Sequence, residues 1–399
     1  MPKLLQINAT ANWGSTGKIA EQIGQRAMEH GWESYIAYGR KYNPSKSKLI
    51  KVGGKLNPYI HFVKQFIFDT EGLNSIHATK KLINRIKSIN PDIIHLHNIH
   101  DHWLSYKILF EYLNTINTPV VWTFHDCWAF TGHCMHFIHS NCNKWKTQCR
   151  ECPQNKRIID GSDHNYILKK TLFGNNKNLT IVPVSHWLED EVKQSFLKNK
   201  RINTILNGVD IDVFHPLEKD SVKVKYGIEN KFLLIGLATA WTSSKGLKDY
   251  VELSKYLPND IKIMLVGLSP TQTSYLPKSI ICVERTSNIG ELVELYSAAD
   301  VVLNLSYAET FGLTTAEGFA CGTPGIVYNK TASPELISEG VGYVVEAGNI
   351  EQLLSAITII KNKGKEYYSK NCRQRAEQFF NKNKCFDKYI ELYNELINI

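Results

Sequence analysis

The sequence of 399 residues has no stretch of 18 residues without a charged side chain, which is roughly the length an apolar helix needs to cross a bilayer. The opening MPKLLQIN is too short an apolar run for a secretory signal. Low-complexity tracts are missing, and hydrophobic residues (43%) outweigh charged ones (21%), which excludes a disordered chain. We therefore expect a cytoplasmic protein with two packed domains of roughly 200 residues each.

Two phosphate-binding patterns are also missing. The first strand, LLQIN, is followed by a turn that contains Gly14, Ser15 and Gly17, but a P-loop would need Gly at Asn12 and Ser or Thr at Ile19. The absence of G-x-G-x-x-G disfavours a nicotinamide oxidoreductase. The turn is either a plain strand-to-helix connection or a helix N-terminus whose amides bind an anion.

Charge is unevenly distributed. Residues 1–200 hold 26 Lys and Arg against 15 Asp and Glu, whereas residues 201–399 hold 21 against 23. No nucleic-acid motif accompanies the basic half, so we expect no nucleic-acid partner. Residues 55–87 mix Phe62, Phe66 and Phe68 with Lys64, Lys80 and other basic side chains. This segment predicts either peripheral contact with an anionic membrane or core-facing amphipathic helices with a solvated basic side.

Five of the nine cysteines lie between Cys127 and Cys152. In a chain without an export signal, disulfides are not expected. Cys134, Cys142, Cys149 and Cys152, with histidines nearby, could hold a structural zinc ion, although the spacing is not that of a standard finger. The alternative is a group of reduced thiols in a loop-rich insert.

Short β-branched runs alternate with amphipathic helix-length segments along the whole chain, which predicts α/β architecture with two Rossmann-like, doubly wound parallel-sheet domains facing a central cleft. We predict an N-terminal domain over residues 1–206, with the cysteine-rich insert 127–152. A second domain covers 207–370, and 371–399 form a helix that packs back toward the first domain. Strand-like runs are LLQIN, SYIAYG, DIIHLH, VVWTFH and TIVPVS, then FLLIGLA, IKIMLVG, SIICVE, VVLNLS, PGIVY and GYVVEAG.

The richest candidate site follows the strand VVLNLS. Glu309 lies in the loop, Phe311, Gly312 and Leu313 open a helix, and Glu317 lies one to two turns inside it. Helix N-terminal amides favour an anion, and carboxylates beside it suit neutral hydroxyls of a ribose and a sugar.

Two further candidates lie at strand ends. Lys245, before Gly246, would offset the charge of a diphosphate. His125, beside Asp126, could contact a sugar or an acceptor with a pKa near neutrality, or could be structural. The histidines at 95, 97, 100 and 102 alternate along a strand, which favours cleft lining over a metal site.

These residues resemble those of a family: the chain is similar to GT4-type retaining glycosyltransferases of the GT-B fold, of the kind that builds bacterial surface polysaccharides such as lipopolysaccharide O-antigen and capsule. The resemblance covers nearly the whole chain. The most specific element is E-x7-E from Glu309 to Glu317, followed by SPELI from Ser333. The turn at Gly14, PVSHW from Pro183, NGVD from Asn207 and Lys245-Gly246 support it.

The resemblance implies that Glu309 contacts the donor sugar, Glu317 the ribose, and Lys245 with the amides near Gly312 the diphosphate. By the same resemblance, Glu309, Lys245 and His125 are the catalytic residues. The donor-binding set is Gly14, Ser15, Gly17, Lys245, Glu309, Phe311, Gly312, Leu313 and Glu317. One departure is that Ala240 stands where the family often has Arg.

The implied activity is transfer of a hexosyl group, from a UDP-sugar rather than a GDP-sugar, to a hydroxyl of a growing, lipid-linked surface polysaccharide. No cofactor and no catalytic metal are expected, because Lys245 and the helix N-terminus balance the diphosphate. The enzyme would be cytoplasmic, with peripheral contact at the inner membrane face. The alternatives are a GT-B-fold sugar-nucleotide epimerase and a non-catalytic nucleotide-binding relative.

Overall fold

The computed structural model describes residues 1–54, 67, 69–70, 72–155, 157–217 and 221–398. The chain forms two compact units. The first comprises Met1–Ile205 and Phe386–Ile399, and the second comprises Leu206–Cys385. Within the described residues, no helix combines the length and the apolar character that a membrane span requires.

The first unit is a parallel α/β sheet with helices on its connections. Its strands are β1 (Lys3–Asn8), β2 (Glu33–Tyr38), β3 (Lys48–Lys51), β4 (Ile93–Leu96), β5 (Val120–Phe124), β6 (Leu179–Pro183) and β7 (Arg201–Ile202). Its helices are α1 (Gly14–Glu29), α2 (Ile76–Ile89), α3 (Tyr106–Leu113), α4 (Ser162–Asn175) and α5 (His186–Lys193). The strand order is β3-β2-β1-β4-β5-β6-β7, and all pairs are parallel.

The second unit repeats this architecture. Its strands are β8 (Phe232–Leu237), β9 (Ile261–Val266), β10 (Ile280–Val283), β11 (Val301–Asn304), β12 (Gly325–Tyr328) and β13 (Gly342–Val345). Its helices are α6 (Ser221–Lys225), α7 (Leu247–Ser254), α8 (Pro270–Tyr275), α9 (Ile289–Ala298), α10 (Leu313–Ala320), α11 (Ser333–Leu336), α12 (Ile350–Lys363) and α13 (Lys365–Phe379). The parallel strands are ordered β10-β9-β8-β11-β12-β13.

The central strands are buried on both faces because helices cover each side of a parallel sheet. Every residue of β4, β5, β6, β11 and β12 is buried. This explains why they read as continuous apolar runs, and each predicted run coincides with an observed strand. Strands β3 and β7 do not stand out as apolar runs in the sequence, because they are edge strands with polar residues and are only four and two residues long.

The C-terminal stretch contains two helices where the sequence analysis treated 371–399 as one. Helix α13 ends at Phe379, and α14 (Lys382–Leu396) follows after a short break. Helix α13 belongs to the second unit, where the Arg373 guanidinium donates to the carbonyls of Ile211, Phe214 and Ala320. From Phe386 onward the chain belongs to the first unit.

Candidate functional site

The two loops with the predicted donor-binding residues leave the second sheet at neighbouring positions. Strand β8 pairs directly with β11, and the chain winds from β8 toward one edge and from β11 toward the other. This is the switch point of the sheet, where open α/β folds bind their ligands beyond the strand carboxyl ends. Loops 238–246 and 305–312 contact each other there, since the Tyr307 amide donates to the Ser244 carbonyl at 2.8 Å.

Lys245 and Glu309 form an ion pair across these loops. Lys245 Nζ lies 2.6 Å from Glu309 Oε1, and the two side chains are 28% and 15% exposed. The Glu309 backbone is held as well, because its amide donates to Thr331 Oγ1 at 2.9 Å and its carbonyl accepts from Ala332. The structure thus brings together the cation and the carboxylate that the sequence analysis singled out separately.

A glycine allows this close approach. Gly246 has a φ of 69°, and a Cβ atom there would lie 2.1 Å from the Leu305 carbonyl oxygen. Both the positive φ and the contact with the β11 loop therefore require glycine. Ala240, at the position of the family's Arg, is exposed in the same loop.

Helix α10 begins at the same place. Gly312 precedes it with a φ of 101°, and its Cβ would meet Leu336 Cδ1 at 2.8 Å. Gly312 has no side chain that could cap this helix, and the positive end of the helix dipole lies beside the loop that contains Glu309. The Phe311 ring is buried and packs edge-on against Phe380, with 5.6 Å between the ring centroids, so its side chain belongs to the core of the second unit.

Glu317 lies on α10 and is oriented by a residue that the sequence analysis missed. The hydroxyl of Tyr296, on α9, donates to Glu317 Oε2 at 2.8 Å. Burial and the Glu317 carboxylate raise the pKa of Tyr296 well above its usual value, so the phenol stays protonated and keeps donating. Tyr296 lies in an ordinary amphipathic helix, and no local sequence pattern marks it as a functional residue.

The first sheet has a matching switch point between β1 and β4. Gly14, with a φ of 66°, begins α1, and Ser15 is exposed at its first turn. Gly17 is buried, and a Cβ there would lie 2.6 Å from Thr10 Oγ1. The turn is therefore closely packed.

His125 belongs to a hydrogen-bonded chain of neutral side chains. Gln6 Nε2 donates to the Ala20 carbonyl, which leaves Gln6 Oε1 to accept from His97 Nε2 at 3.0 Å. His97 Nδ1 then accepts from His125 Nε2 at 3.1 Å. Burial lowers the pKa of His125 to about 4. The expectation that His125 titrates near neutrality is wrong, and the residue acts as a neutral hydrogen-bonding group.

The neighbouring histidines serve different roles. His95 is buried and bonds to Thr123 Oγ1 at 2.7 Å and to the Tyr393 hydroxyl at 2.6 Å. His100 pairs with Asp126 at 2.9 Å. Burial alone would lower the pKa of His100, but the carboxylates of Asp126 and Asp101 raise this pKa well above its usual value. Among the described residues, the groups with metal-like spacing involve none of the histidines at 95, 97, 100 and 102.

The cysteine-rich insert places its candidate ligands around one pocket, lined by Cys134, Cys142, Cys149 and Cys152. It lies in the first unit.

The predicted membrane-contact segment is described only in part. Phe62, Lys64, Phe66 and Phe68 lie outside the described residues. Helix α2 buries Ala78, Thr79, Leu82, Ile83 and Ile86 and exposes its basic residues, which agrees with the core-facing alternative for that helix.

Two solved structures with this architecture are similar over the full length. Sucrose-phosphate synthase from Thermosynechococcus elongatus matches with a TM-score of 0.75 and 18% identity over 100% of both chains. Anabaena Alr3699/HepE in complex with UDP-glucose matches with a TM-score of 0.66 and 14% identity, over 98% of this chain and 99% of that one. The protein therefore has the GT-B glycosyltransferase fold.

The family follows from the sequence. Residues 17–213 match the model of Glycosyltransferase Family 4, and residues 218–379 match that of glycosyl transferases group 1. The chain belongs to the GT4-type glycosyltransferases, which confirms the family that the sequence motifs predicted.

The chain is also similar in sequence to two curated proteins. The chain is 28% identical over 239 residues to N-acetyl-alpha-D-glucosaminyl L-malate synthase of Bacillus anthracis, covering 56% of this chain and 62% of the relative. It is 21% identical over 425 aligned residues to the putative colanic acid biosynthesis glycosyl transferase WcaC of Escherichia coli K12, covering 98% of this chain and 100% of the relative. The chain thus spans less than two thirds of the first relative and all of the second.

Proposed function

We propose that the protein transfers a hexosyl group from a UDP-sugar to a hydroxyl of a growing, lipid-linked bacterial surface polysaccharide, with retention at the anomeric carbon. The observation that carries the proposal is the Lys245–Glu309 pair of 2.6 Å beside the N-terminus of α10. It combines a cation and a helix dipole for a diphosphate with a carboxylate for sugar hydroxyls.

Binding of the donor would rearrange the Lys245–Glu309 ion pair. A half-buried Lys245 can contact a phosphate oxygen while it still borders Glu309. Glu309 would repel the diphosphate, so its useful targets are the hydroxyls of the transferred sugar, which donate to a carboxylate. In the absence of the family's Arg at Ala240, Lys245 carries most of the charge compensation.

Glu317 suits the ribose. Its Oε2 accepts from Tyr296, which limits the rotation of the carboxylate, and carboxylate oxygens can accept further hydrogen bonds from ribose hydroxyls. The preference for UDP rests on the Anabaena neighbour, whose structure contains UDP-glucose.

The reaction breaks the bond between the anomeric carbon and the diphosphate oxygen, and the leaving UDP retains that electron pair. The acceptor oxygen bonds to the same face of the anomeric carbon, and its proton passes to the departing diphosphate. Lys245 and the α10 dipole would stabilise the negative charge that develops there, so this step requires no divalent cation. His125, neutral near pH 7, would contribute a hydrogen bond and no proton transfer.

The acceptor class rests on two observations. The relative that matches over its whole length is named for colanic acid biosynthesis, and residues 1–200 carry the excess of basic residues. A basic surface attracts the anionic headgroups among which a lipid-linked oligosaccharide lies.

The donor is tested by calorimetric titration of the full chain with UDP, GDP and their hexose conjugates, each with and without EDTA. We expect binding of UDP and one UDP-hexose that EDTA does not change. Tighter binding of the GDP series would contradict the predicted base, and loss of binding in EDTA would contradict charge compensation by Lys245.

The reaction is then tested with the identified donor and lipid-linked oligosaccharides as acceptors. A glycosylated lipid whose new linkage has the donor's anomeric configuration by NMR supports the proposal. Conversion of the nucleotide sugar without acceptor would instead identify an epimerase. Nucleotide binding without either reaction would identify a non-catalytic relative.

A further inference from the structure

The connection between β5 and α4, residues 125–161, is held together by little secondary structure. Its described part contains three 3-10 turns, Trp128–Phe130, Ile138–Ser140 and Lys144–Lys146. Its apolar contacts centre on Trp145, whose ring lies 4.7 Å from that of Phe137 and 5.2 Å from that of Phe130. A loop of this length normally needs a further constraint to keep one conformation.

Three potential metal ligands in this loop already lie together. His133 Nε2 is 3.1 Å from Cys152 Sγ, and Cys152 Sγ is 3.8 Å from Cys134 Sγ. All three ligand atoms lie within 4.8 Å of one another. In a tetrahedral Zn²⁺ site with Zn–S bonds of about 2.3 Å, two sulfur ligands lie about 3.8 Å apart. The observed distance between Cys134 Sγ and Cys152 Sγ matches that expected distance.

Two further cysteines lie in the same part of the loop. Cys142 and Cys149 line the pocket that Cys134 and Cys152 also line. Cys149 Sγ accepts a hydrogen bond from the Gly132 amide at 3.2 Å, which fixes the position of this sulfur atom. The three donors already gathered need one more to complete four-coordination, and the side chain of Cys142 or Cys149 would move toward them to supply it.

The histidine is oriented as a metal-binding histidine is. Its Nδ1 lies 2.6 Å from the buried Asp69 carboxylate, which leaves Nε2 directed toward the sulfur atoms. Asp69 is itself held by Arg157 at 2.7 Å and by the Gly161 amide at 3.1 Å. A carboxylate that fixes the ring of a ligating histidine is the common supporting contact of zinc sites.

We propose that residues 133–152 bind one structural Zn²⁺ ion through His133, Cys134 and Cys152, with Cys149 or Cys142 as the fourth ligand. Zinc suits a mixed thiolate and imidazole set, and four protein ligands leave no open position for a substrate. The ion cross-links residues 133 and 134 to residue 152 within the loop, and the contact between His133 and Asp69 joins the loop to the segment before α2. It stabilises the first unit and takes no part in sugar transfer.

The metal is tested on the full-length protein purified without chelators or a polyhistidine tag. Elemental analysis should give about one zinc per chain, as for a closed four-ligand site. Protein made with Co²⁺ in place of zinc should show intense thiolate-to-cobalt charge-transfer absorption and the visible bands of tetrahedral cobalt. Substoichiometric metal with no such absorption would overturn the proposal, as would a Cys134–Cys152 disulfide detected by mass spectrometry under non-reducing conditions.

Variants identify the ligands. Cys134→Ser and Cys152→Ser should each lose the metal, whereas Cys282→Ser, a matched control in the second unit, should retain it. Of Cys142→Ser and Cys149→Ser, one should lose it and the other retain it. Retention in Cys134→Ser would overturn the ligand set. If a variant fails to fold, the cobalt spectrum of the wild type still decides, because its intensity reports the number of thiolates.

Asp69→Asn tests the supporting contact separately from ligation. It should retain the metal but weaken its affinity about 10–100-fold, measured by competition with a zinc-binding dye. Affinity equal to that of the wild type would contradict the supporting role assigned to the Asp69 carboxylate.

Discussion

The carboxyl edges of the two sheets have the same topology and different chemistry. At the β8/β11 switch point a half-buried ion pair, Lys245 and Glu309, lies beside a helix N-terminus. At the β1/β4 switch point the corresponding side chains, Gln6 and His97, are buried and neutral, and they lead to His125. Topology sets where a ligand binds in each unit, and the side chains at that edge set which chemical groups suit it. Charge suits a diphosphate, whereas neutral imidazoles suit hydroxyls.

The largest effect is expected from removing the cation of the charged edge. Lys245→Ala should lower kcat/KM for the donor about 10²–10³-fold, the range for losing one preorganised group that stabilises developing charge. Steady-state assays of UDP release measure it. The matched control is Lys248→Ala, which removes an exposed lysine from the following helix. Equal rates for the two variants would show that Lys245 does not compensate the diphosphate.

The next largest effect concerns the contact between the two loops. Gly246→Ala should destabilise the second unit by about 2–4 kcal/mol, because a positive φ and a clash with the Leu305 carbonyl add. Gly227→Ala is the control. It has a similar φ of 63° but nothing within 4 Å of the added Cβ, so about 1 kcal/mol is expected. Urea unfolding measures both, and equal losses would show that the contact is not tight.

The neutral edge should respond to pH. Burial lowers the pKa of His95 and His97 well below the usual value, and that of His125 to about 4, so the unfolded chain binds protons more readily. Stability contributed by the neutral forms is present above about pH 6.5 and is lost as the pH falls toward 4, by up to about 1.4 kcal/mol per pH unit for each histidine. Urea midpoints at pH 7 and pH 5 measure the loss.

His125→Gln keeps an amide donor near the Nε2 position and removes one titrating group, so its loss between pH 7 and pH 5 should be smaller than that of the wild type. His100 and Asp126, which face His125, are present in both proteins, and the raised pKa of His100 contributes equally. An unchanged pH dependence would mean that His125 is protonated to the same extent in the folded and unfolded chains.

The smallest effect is expected at the supporting tyrosine. Tyr296→Phe removes the donor to Glu317 and should weaken UDP binding about tenfold, the scale of one hydrogen bond to a charged group. Tyr256→Phe removes a hydroxyl that bonds to Glu252 on the surface and should leave binding unchanged. Calorimetry measures the UDP affinity of both variants. Similar affinities would exclude a role for the orientation of Glu317 in UDP binding.

Much of the fold was predictable because buried parallel strands are continuous apolar runs. The runs that became β4, β5, β11 and β12 are recognisable without any partner. The edge strand β3, KLIK, is short and half polar, and its pairing with β2 is a long-range property that no local pattern encodes.

The candidate site was predictable where one short segment contains several functional residues. Glu309, Gly312 and Glu317 lie in a single motif, and Lys245 follows a recognisable strand. The contact between Lys245 and Glu309 was not predictable, since it depends on β8 lying next to β11. The shifted pKa of His125 also depends on burial that a single sequence does not reveal.

The most direct measurement compares the affinities of Glu309→Gln for UDP and for the cognate UDP-sugar, by calorimetry, with the exposed Glu339→Gln as control. If Glu309 contacts the transferred sugar and Lys245 the diphosphate, the variant should bind the UDP-sugar about tenfold more weakly. Its affinity for UDP should stay the same or rise, because a carboxylate near the diphosphate is lost. An equal loss for both ligands, or no loss for either, would contradict the assignment of this edge as the donor site.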